Sequence, residues 1–361
     1  MSPSLRFPEF NGEWEKCKIE DITDAVSSGK SKNHFSNGEY NLYGSTGIIG
    51  RTDKALYDGK LVLVARVGAN AGFLQIINEP CGITDNTLIL KPKGIDAFYL
   101  YYFLQHFNLN RLIFGSGQPL ITGGMLKKVK VSLGTISEQS KIVKFLSLLD
   151  ERIATQVRLI EDLKKLRCAI VEKMFKQSKA NGRLGDFIEQ VSVRNKNGLY
   201  SNVLSVSNKQ GFVKQSEQFE DRTVASEDTS NYKIVKRNNF AYNPARINVG
   251  SIARLTKFDV GIVSPMYVCF RTKASIIPEY MEAFFTSQQF FYEMMKRLEG
   301  SVRLCLSYEG LCNIPVYIPD MNKQIAMGQN ISLILSKIGL EIEYLGRLHQ
   351  QKQYLLRKMF I

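Results

Sequence analysis

The sequence predicts an α+β protein of two pseudo-repeated lobes, mostly β with short helices, and two long helices packed as an antiparallel coiled coil. Three observations predict this fold: a segment that occurs twice, a coiled-coil pattern in both copies, and strand-like runs with glycine turns before each copy. The predicted domains are a first lobe at 1–136, a first spacer helix at 137–176, a second lobe at 177–320 and a second spacer helix at 321–361.

The internal repeat is clearest in the predicted helices. Residues 138–175 align without a gap with residues 323–360, and both copies end in Lys-Met-Phe. Weaker matches precede them: residues 18–22 with 183–187, Arg66 with Arg246, and Gly115-Ser116 with Gly300-Ser301. The offset between the matches grows through the lobes and is then constant along the helix, which indicates two copies of one fold with different loops.

Both helical copies carry apolar residues at alternating spacings of four and three, the pattern of a coiled-coil seam. The first copy runs Ile142, Leu146, Leu149, Ile153, Gln156, Ile160, Leu163, Arg167, Ile170, Met174, and the second runs Met327, Ile331, Ile334, Ile338, Glu341, Leu345, Leu348, Lys352, Leu355, Met359. Polar residues interrupt both seams at the same two places.

The polar interruptions favour an antiparallel pairing of the two helices. They lie eleven residues apart in each copy, so one antiparallel register places Arg167 opposite Glu341 and Gln156 opposite Lys352. A parallel pairing would place Arg167 opposite Lys352, two buried cations without a counterion, which is costly. The alternative is that the two amphipathic helices are unrelated and dock separately on their own domains.

Within the lobes, residues 61–65 and 87–90 read as buried strands. Short helices are expected at 98–107 and 278–298, where apolar residues recur at helical spacing. The aromatic residues of these helices have two alternative roles: platforms for base stacking, or the more usual role of core packing. They are Tyr101, Phe103, Phe284 and Phe285.

Composition limits the class of protein. The formal charge of +14 indicates a polyanionic partner. Six cysteines without CxxC spacing, beside only three histidines, argue against a zinc site and a disulfide framework. No apolar run approaches the roughly 20 residues of a membrane span. We therefore expect a cytoplasmic protein that does not contact a membrane.

Several motifs together resemble one family. They are Leu5-Arg6-Phe7-Pro8-Glu9-Phe10 followed by Gly12-Glu13-Trp14, the glycine-rich stretches at 43–50, 65–68 and 115–118, those at 249–254 and 261–265 in the second lobe, and the helix entries Ser137-Glu138-Gln139 and Asn322-Lys323-Gln324. This set is similar to the specificity (S) subunits of type I restriction-modification systems. One departure is Gly134-Thr135, where the family usually has a proline pair before the helix.

The resemblance implies a non-catalytic subunit that recognises double-stranded DNA at a bipartite, asymmetric site with an unread spacer. It also implies partners: two methyltransferase (M) subunits that modify adenine N6, and restriction/translocase (R) subunits. S-adenosylmethionine, ATP and Mg²⁺ would then belong to those partners, with no cofactor bound by this chain. The alternative is a structural scaffold or a stand-alone DNA-binding protein without restriction partners.

Candidate DNA contacts are loop residues in glycine-rich settings. Arginine suits guanine, and asparagine or glutamine suits adenine. The candidates are Ser45, Thr46, Arg66, Asn70 and Gln118 in the first lobe, and Asn243, Arg246, Asn248 and Arg303 in the second. The alternative is that the glycines only form turns and that Arg66 and Arg246 pair with carboxylates such as Asp85.

Catalytic signatures are not found. Asn243-Pro244-Ala245-Arg246 does not match the Asn/Asp-Pro-Pro-aromatic tetrad of amino-methyltransferases, and residues 114–117 lack the strand-loop-helix context of a cofactor loop. We therefore expect neither a catalytic residue nor a metal ligand in this chain.

Overall fold

The computed structural model describes residues 2–32, 38–113, 117–176, 179–208, 210–218, 228–301 and 303–361. Its contacts divide the chain into two compact units. Unit 1 comprises Met1–Val157 and Glu343–Ile361, and unit 2 comprises Arg158–Ile342. Each unit thus contains one predicted lobe together with part of both long helices.

Unit 1 is built mainly from short strands. Its elements are β1 (Glu15–Lys18), β2 (Thr23–Ser28), β3 (Tyr40–Gly44), β4 (Gly47–Thr52), β5 (Lys60–Ala65), β6 (Leu74–Asn78), β7 (Cys81–Ile83), β8 (Thr87–Pro92), α1 (Ala97–Phe107), α2 (Gly123–Lys127), β9 (Lys130–Leu133) and the start of the long helix α3 (Ile136–Lys176). The 3-10 turn Gly68–Asn70 lies between β5 and β6.

Three sheets organise unit 1. An antiparallel sheet has the order β2-β8-β5-β6, a second sheet has the order β4-β3-β7 with β3 and β7 parallel, and β1 pairs with β9. Alternate residues of β5 point to different clusters, as a strand requires. Val62 and Val64 pack with α1, whereas Leu61 and Leu63 pack with Cys81 and other residues of a smaller cluster.

Unit 2 has the elements β10 (Gly182–Arg183), α4 (Leu184–Phe187), β11 (Ile188–Gln190), β12 (Val203–Ser207), β13 (Gly211–Lys214), α5 (Gln215–Gln218), β14 (Lys233–Lys236), β15 (Phe240–Tyr242), β16 (Ile252–Arg254), β17 (Val260–Val263), β18 (Val268–Thr272), α6 (Pro278–Phe285), α7 (Gln288–Met295), α8 (Tyr308–Cys312), β19 (Pro315–Val316) and the long helix α9 (Met321–Met359). The 3-10 turn Ile247–Val249 lies between β15 and β16.

The sheets of unit 2 repeat those of unit 1. The order β11-β18-β15-β16 is antiparallel throughout and matches β2-β8-β5-β6, and β10 pairs with β19 as β1 pairs with β9. In the remaining sheet, β13-β12-β17-β14, strands β12 and β17 are parallel, as β3 and β7 are. The predicted duplication is therefore confirmed at the level of strand order, with β14 as an addition in unit 2.

The starts of the two long helices contain the same side-chain hydrogen bond. The side-chain amide of Gln139 donates to the carbonyl of Gly134 at 2.9 Å, and that of Gln324 donates to the carbonyl of Pro319 at 3.0 Å. Both glutamines are buried. Asp320 caps the second helix by accepting from the Lys323 N–H at 3.0 Å, so the predicted helix start is confirmed.

The long helices run antiparallel where unit 1 contains both. Asp150 forms an ion pair with Lys352 at 2.6 Å, and the Arg152 guanidinium lies 5.4 Å from the ring centroid of Tyr344. Later residues of α3 thus meet earlier residues of α9. In unit 2, Ile170 and Met174 of α3 share a core cluster with Ile331 of α9. The predicted fold class, two related lobes with an antiparallel coiled coil, is confirmed.

Three of the four predicted pairing residues have ion-pair or cleft neighbours that the sequence did not indicate. Lys352 pairs with Asp150, and Glu341, which is 9% exposed, forms an ion pair with Lys337 one turn earlier. Arg167 lines a cleft with Glu282. Gln156 is buried. The pairing of Arg167 with Glu341 and of Gln156 with Lys352 stays a prediction.

Most local predictions hold. The strands at 61–65 and 87–90 are β5 and β8, and the helix at 98–107 is α1. The helical range predicted at 278–298 contains two helices, since α6 ends at Phe285 and the Ser287 hydroxyl caps α7 by accepting from the Phe290 N–H at 3.1 Å. The base-stacking alternative is wrong for Phe103, Phe284 and Phe285, since all three are buried in the cores.

Candidate nucleic-acid interface

The turn between β3 and β4 carries the first two candidates of unit 1. The hydroxyl of Ser45 donates to the carbonyl of Asn86 at 3.2 Å, and the Gln75 amide donates to the carbonyls of Gly44 and Ser45 at 3.0 and 3.1 Å. Thr46 is exposed at the end of the turn. The turn is therefore held against β6 and the Asn86 loop while its tip stays accessible.

The backbone of Arg66 connects this turn to a second loop. The Arg66 N–H donates to the carbonyl of Asn86 at 2.9 Å, the acceptor that also binds Ser45. The carbonyl of Arg66 accepts from the Ile121 N–H at 2.9 Å. Gly68 donates to the carbonyl of Pro119 at 3.0 Å, and Gln118 beside it is exposed. These bonds bring Ser45, Arg66 and Gln118 onto one loop surface of unit 1, defined here by the segments 44–46, 66–73 and 117–121.

The side chain of Arg66 is half-buried and lies near a hydroxyl rather than a carboxylate. Its Nη1 is 3.5 Å from the Ser28 hydroxyl, and its buried Nε has no hydrogen-bond partner. In the described part of the chain no carboxylate lies within 4 Å of this guanidinium, so the alternative of a pair with Asp85 is wrong. Arg66 therefore has no carboxylate among the described residues that neutralises its charge, and it remains a candidate for contact with DNA.

Asn70 lies at the end of the 3-10 turn beside a residue that sequence reasoning missed. The N–H of Phe73 donates to the carbonyl of Asn70 at 2.9 Å, and the Phe73 side chain is 47% exposed. Both residues line an open cleft of about 480 Å³ together with Tyr101 and Gln105. The signal available in the sequence was an aromatic residue directly after two glycine-containing turns, at Gly68 and Gly72.

In unit 2 the corresponding turn begins at Asn243, which is only 7% exposed. Its side-chain carbonyl accepts from the Ala245 N–H at 3.1 Å, and its own N–H donates to the carbonyl of Ser251 at 3.1 Å. This side chain shapes the turn, a common role for asparagine. Its burial corrects the expectation that Asn243 is available to contact a base.

The other candidates of unit 2 remain accessible. Arg246 and Arg303 are exposed, and Asn248 is half-buried. The N–H of Leu306 donates to the carbonyl of Pro244 at 3.1 Å, which places the loop before Leu306 next to the Arg246 turn. In the described part of the chain no carboxylate lies within 4 Å of the Arg246 guanidinium, so the alternative of a carboxylate pair is wrong for Arg246 as well.

The loop of Arg303 depends on a glycine. Gly300 has a φ of +117°, and a Cβ there would lie 2.4 Å from the carbonyl oxygen of Arg303. Glu299 and Cys305 exchange two backbone hydrogen bonds, of 2.9 and 2.8 Å, that close the loop. The residues predicted to match in unit 1, Gly115 and Ser116, lie outside the described residues.

The backbone hydrogen bonds correct one predicted equivalence. Ala65 donates to the carbonyl of Phe73, and Asn243 donates to that of Ser251, so these residues occupy the same places in the two units. It follows that Arg66 corresponds to Pro244 and not to Arg246. By the same register Asn70 corresponds to Asn248, and both lie on the 3-10 turn that follows the strand.

Arg254, in the glycine-rich stretch of unit 2, has a structural role. It forms ion pairs with Glu279 and, at 2.9 Å, with Glu282. Burial raises the pKa of Glu282, while the neighbouring Arg254 opposes that shift. The arginine is thus fixed between β16 and α6, and its carboxylate partners neutralise it.

Two of the cysteines are buried in the cores of the units. Burial raises the pKa of Cys81 to about 11 and that of Cys269 to about 12, so these thiols stay protonated and are weak nucleophiles. Among the described residues there is no group of three or more His, Cys, Asp or Glu arranged to hold a metal ion. Among them, too, no helix has the length and apolar character needed to cross a bilayer.

Residues 11–165 match the family model of the type I restriction modification DNA specificity domain. This part of the chain is therefore similar to type I DNA specificity domains. A putative type I specificity subunit from Mycoplasma genitalium is 29% identical over 189 residues, covering 50% of this chain and 49% of that protein. The EcoprrI specificity subunit of Escherichia coli is 28% identical over 112 residues, covering 31% of this chain and 28% of that subunit. The resemblance to specificity subunits is therefore confirmed.

Solved structures agree on the fold. The crystal structure of a type I system S subunit from M. genitalium matches with a TM-score of 0.65 at 20% identity, covering 100% of this chain and 99% of that one. A structure reported for complex assembly and conformational transition of the type I system matches with a TM-score of 0.57 at 11% identity, covering 97% and 98%. In sequence, however, this chain aligns with at most about half the length of these curated relatives.

Proposed function

We propose that this chain is the DNA specificity subunit of a type I restriction-modification complex, and that it recognises a bipartite, asymmetric site with an unread spacer. The family match and the duplicated lobes carry the proposal. Each unit offers accessible Arg, Asn or Gln side chains on loops, the residue types that read base edges in the major groove. The formal charge of +14 supports a DNA partner.

Asymmetry of the site follows from the differences between the units. Arg66 corresponds to Pro244, and Phe73 corresponds to Ser251. Two readers with the same strand order but different loop side chains should prefer different base sequences. The two half-sites are therefore expected to differ.

We assign to the long helices the role of setting the length of the unread DNA spacer. Helices of 41 and 39 residues are each about 60 Å long at about 1.5 Å per residue. Two half-sites on the same face of DNA lie roughly 34 to 36 Å apart per helical turn. Helices of this length suit a role in fixing that separation.

Methylation and cleavage are assigned to partners. We infer two methyltransferase subunits for adenine N6 methylation, which would hold S-adenosylmethionine, and restriction subunits that would use ATP and Mg²⁺. This chain would contribute no catalytic residue. The proposal places the chain in the cytoplasm, where its six free cysteines would stay reduced.

The test is sequencing of adenine methylation in cells with and without this chain. The proposal predicts methylated adenines within a two-part motif that disappear when the chain is deleted. The alternative, a scaffold without sequence preference, predicts that partner-dependent methylation persists on the same motif. A methylation pattern unchanged by deletion would overturn the proposal.

A further inference from the structure

The turn that follows β5 holds two neighbouring side chains in fixed positions. Phe73 donates its N–H to the carbonyl of Asn70, and Gly72 donates to the carbonyl of Ala65, both at 2.9 Å. Gly72 has a φ of +88°, and a Cβ there would lie 3.1 Å from the Asn110 side-chain oxygen. The turn therefore requires glycine, and it fixes where Asn70 and Phe73 leave the backbone.

Both side chains are available to a ligand. Asn70 is exposed, and in the described part of the chain its amide has no hydrogen-bond partner. Phe73 is 47% exposed although a backbone hydrogen bond holds it in the turn. An exposed aromatic ring beside an unpaired amide is more informative than an isolated apolar residue on the surface.

Only one of the two side chains is repeated in unit 2. Asn248 occupies the place of Asn70, but Ser251 occupies that of Phe73, is 4% exposed and donates its hydroxyl to the carbonyl of Val206 at 3.1 Å. The fold thus does not need an aromatic residue at this position. At this position, therefore, unit 1 has an exposed aromatic ring and unit 2 does not.

The surroundings suit uncharged groups of DNA. The lining of the 480 Å³ cleft beside these residues consists of apolar, aromatic and amide side chains such as Tyr101, Gln105 and Asn110. The loop surface of unit 1 also carries Arg66 and Gln118. Side chains with amide and guanidinium groups are the ones that bind base edges in the major groove.

We propose that Asn70 and Phe73 together read one A·T base pair in the half-site bound by unit 1, an inference that rests on the proposed function. The Asn70 amide would bind N6 and N7 of adenine, and the Phe73 ring would contact the C5-methyl group of the paired thymine. Both groups lie in the major groove on the same base pair, so two side chains three residues apart can reach them together.

The test uses the full chain and duplexes with single-atom or single-methyl changes. Selection from random DNA first defines the preferred site, and each A·T pair in it is then replaced in turn. At one pair, 7-deazaadenine, which lacks N7, should weaken binding of the unchanged protein about tenfold. Uracil in place of the paired thymine should weaken binding about fourfold, because the contact with one buried methyl group is lost.

The variants assign each effect to one side chain. Asn70→Ala should become insensitive to 7-deazaadenine and remain sensitive to uracil, and Phe73→Ala should show the reverse. Asn248→Ala is the matched control, because it changes the equivalent turn of unit 2. It should leave both effects at this base pair unchanged.

The outcomes separate this inference from the function on which it rests. A defined site whose A·T pairs show no variant-dependent response to either modified base would overturn the inference and leave the proposed function standing. A response to both modified bases that persists in both variants would also overturn it. No sequence preference in the selection would overturn the proposed function and the inference together.

Discussion

The ring centroids of Phe360 and Tyr99 lie 5.3 Å apart, and those of Phe175 and Tyr280 are also 5.3 Å apart. Each Phe ends one copy of the Lys-Met-Phe repeat, and each Tyr is fully buried in the core of the unit that contains it. The end of α9 thus belongs to the core of unit 1, and the end of α3 belongs to the core of unit 2.

Truncation of either phenylalanine should destabilise the protein strongly. Phe360→Ala and Phe175→Ala each remove a buried ring, which costs about 3 to 5 kcal/mol. Denaturant unfolding with fluorescence detection measures the change. Phe291→Ala is the control, because Phe291 is 51% exposed and its loss should cost under about 0.5 kcal/mol. Equal losses for all three variants would contradict the assignment.

The N-terminal segment is tied to the start of α3 by a buried ion pair. Glu138, which is 0% exposed, accepts from Arg6 at 2.7 and 2.8 Å and from the Trp14 indole at 3.1 Å. A double-mutant cycle of Arg6→Ala and Glu138→Ala should give a coupling energy of about 2 kcal/mol.

The matched control for that cycle is the pair of Lys141 and Glu9, whose side chains are each nearly half-exposed. Solvent screens such pairs, so its coupling energy should stay below about 0.5 kcal/mol. A value for Arg6 and Glu138 no larger than this would show that the buried pair does not hold the segment.

His106 should make stability depend on pH. Burial lowers the pKa of this imidazole below its usual 6.5, opposed by a backbone hydrogen bond to Leu356 and assisted by the charge of Arg111. The unfolded chain therefore takes up a proton at higher pH than the folded chain. Stability is complete above about pH 6.5 and falls as the pH drops below it.

Thermal unfolding at pH 7.5 and 5.5 measures this effect. His106→Phe removes the titrating group and keeps a ring beside Phe360, whose centroid lies 5.9 Å from that of His106. Between pH 7.5 and pH 5.5 the Tm of the variant should fall by less than the Tm of the unchanged protein. An identical decrease in both proteins would show that other groups cause it.

Arg246 should act on one half-site only. Arg246→Ala is expected to reduce the difference in binding free energy between the preferred base and other bases at one position by about 1 to 3 kcal/mol. Base preference at the other half-site should stay unchanged. Selection from random DNA with each protein measures this. Lys164→Ala, which changes an exposed residue of α3, is the control and should leave the preferred sequence unaltered.

The sequence allowed prediction of the features that depend on regular spacing. The seam of Ile142 and Leu146 and the repeated Gln139 and Gln324 follow from helical periodicity and from a gapless alignment. Regular elements tolerate few insertions, so the two copies keep a constant offset there.

The loops could not be predicted in the same way. Arg66 and Arg246 are alike in residue type, but the turns 65–73 and 243–251 are equally long, and their closing hydrogen bonds show that Arg66 corresponds to Pro244. The exposure of Phe73 depends on a turn whose partners lie far along the chain. The burial of Asn243 likewise depends on Ser251, which no local pattern indicates.

Selection of random-sequence DNA by the full chain tests the central claim most directly. We expect two different short motifs at a fixed separation, with no base preference in the DNA that lies between the motifs. Phe73→Ala should alter one motif, and Arg246→Ala should alter the other. A single continuous motif, or two motifs that both change in either variant, would contradict it.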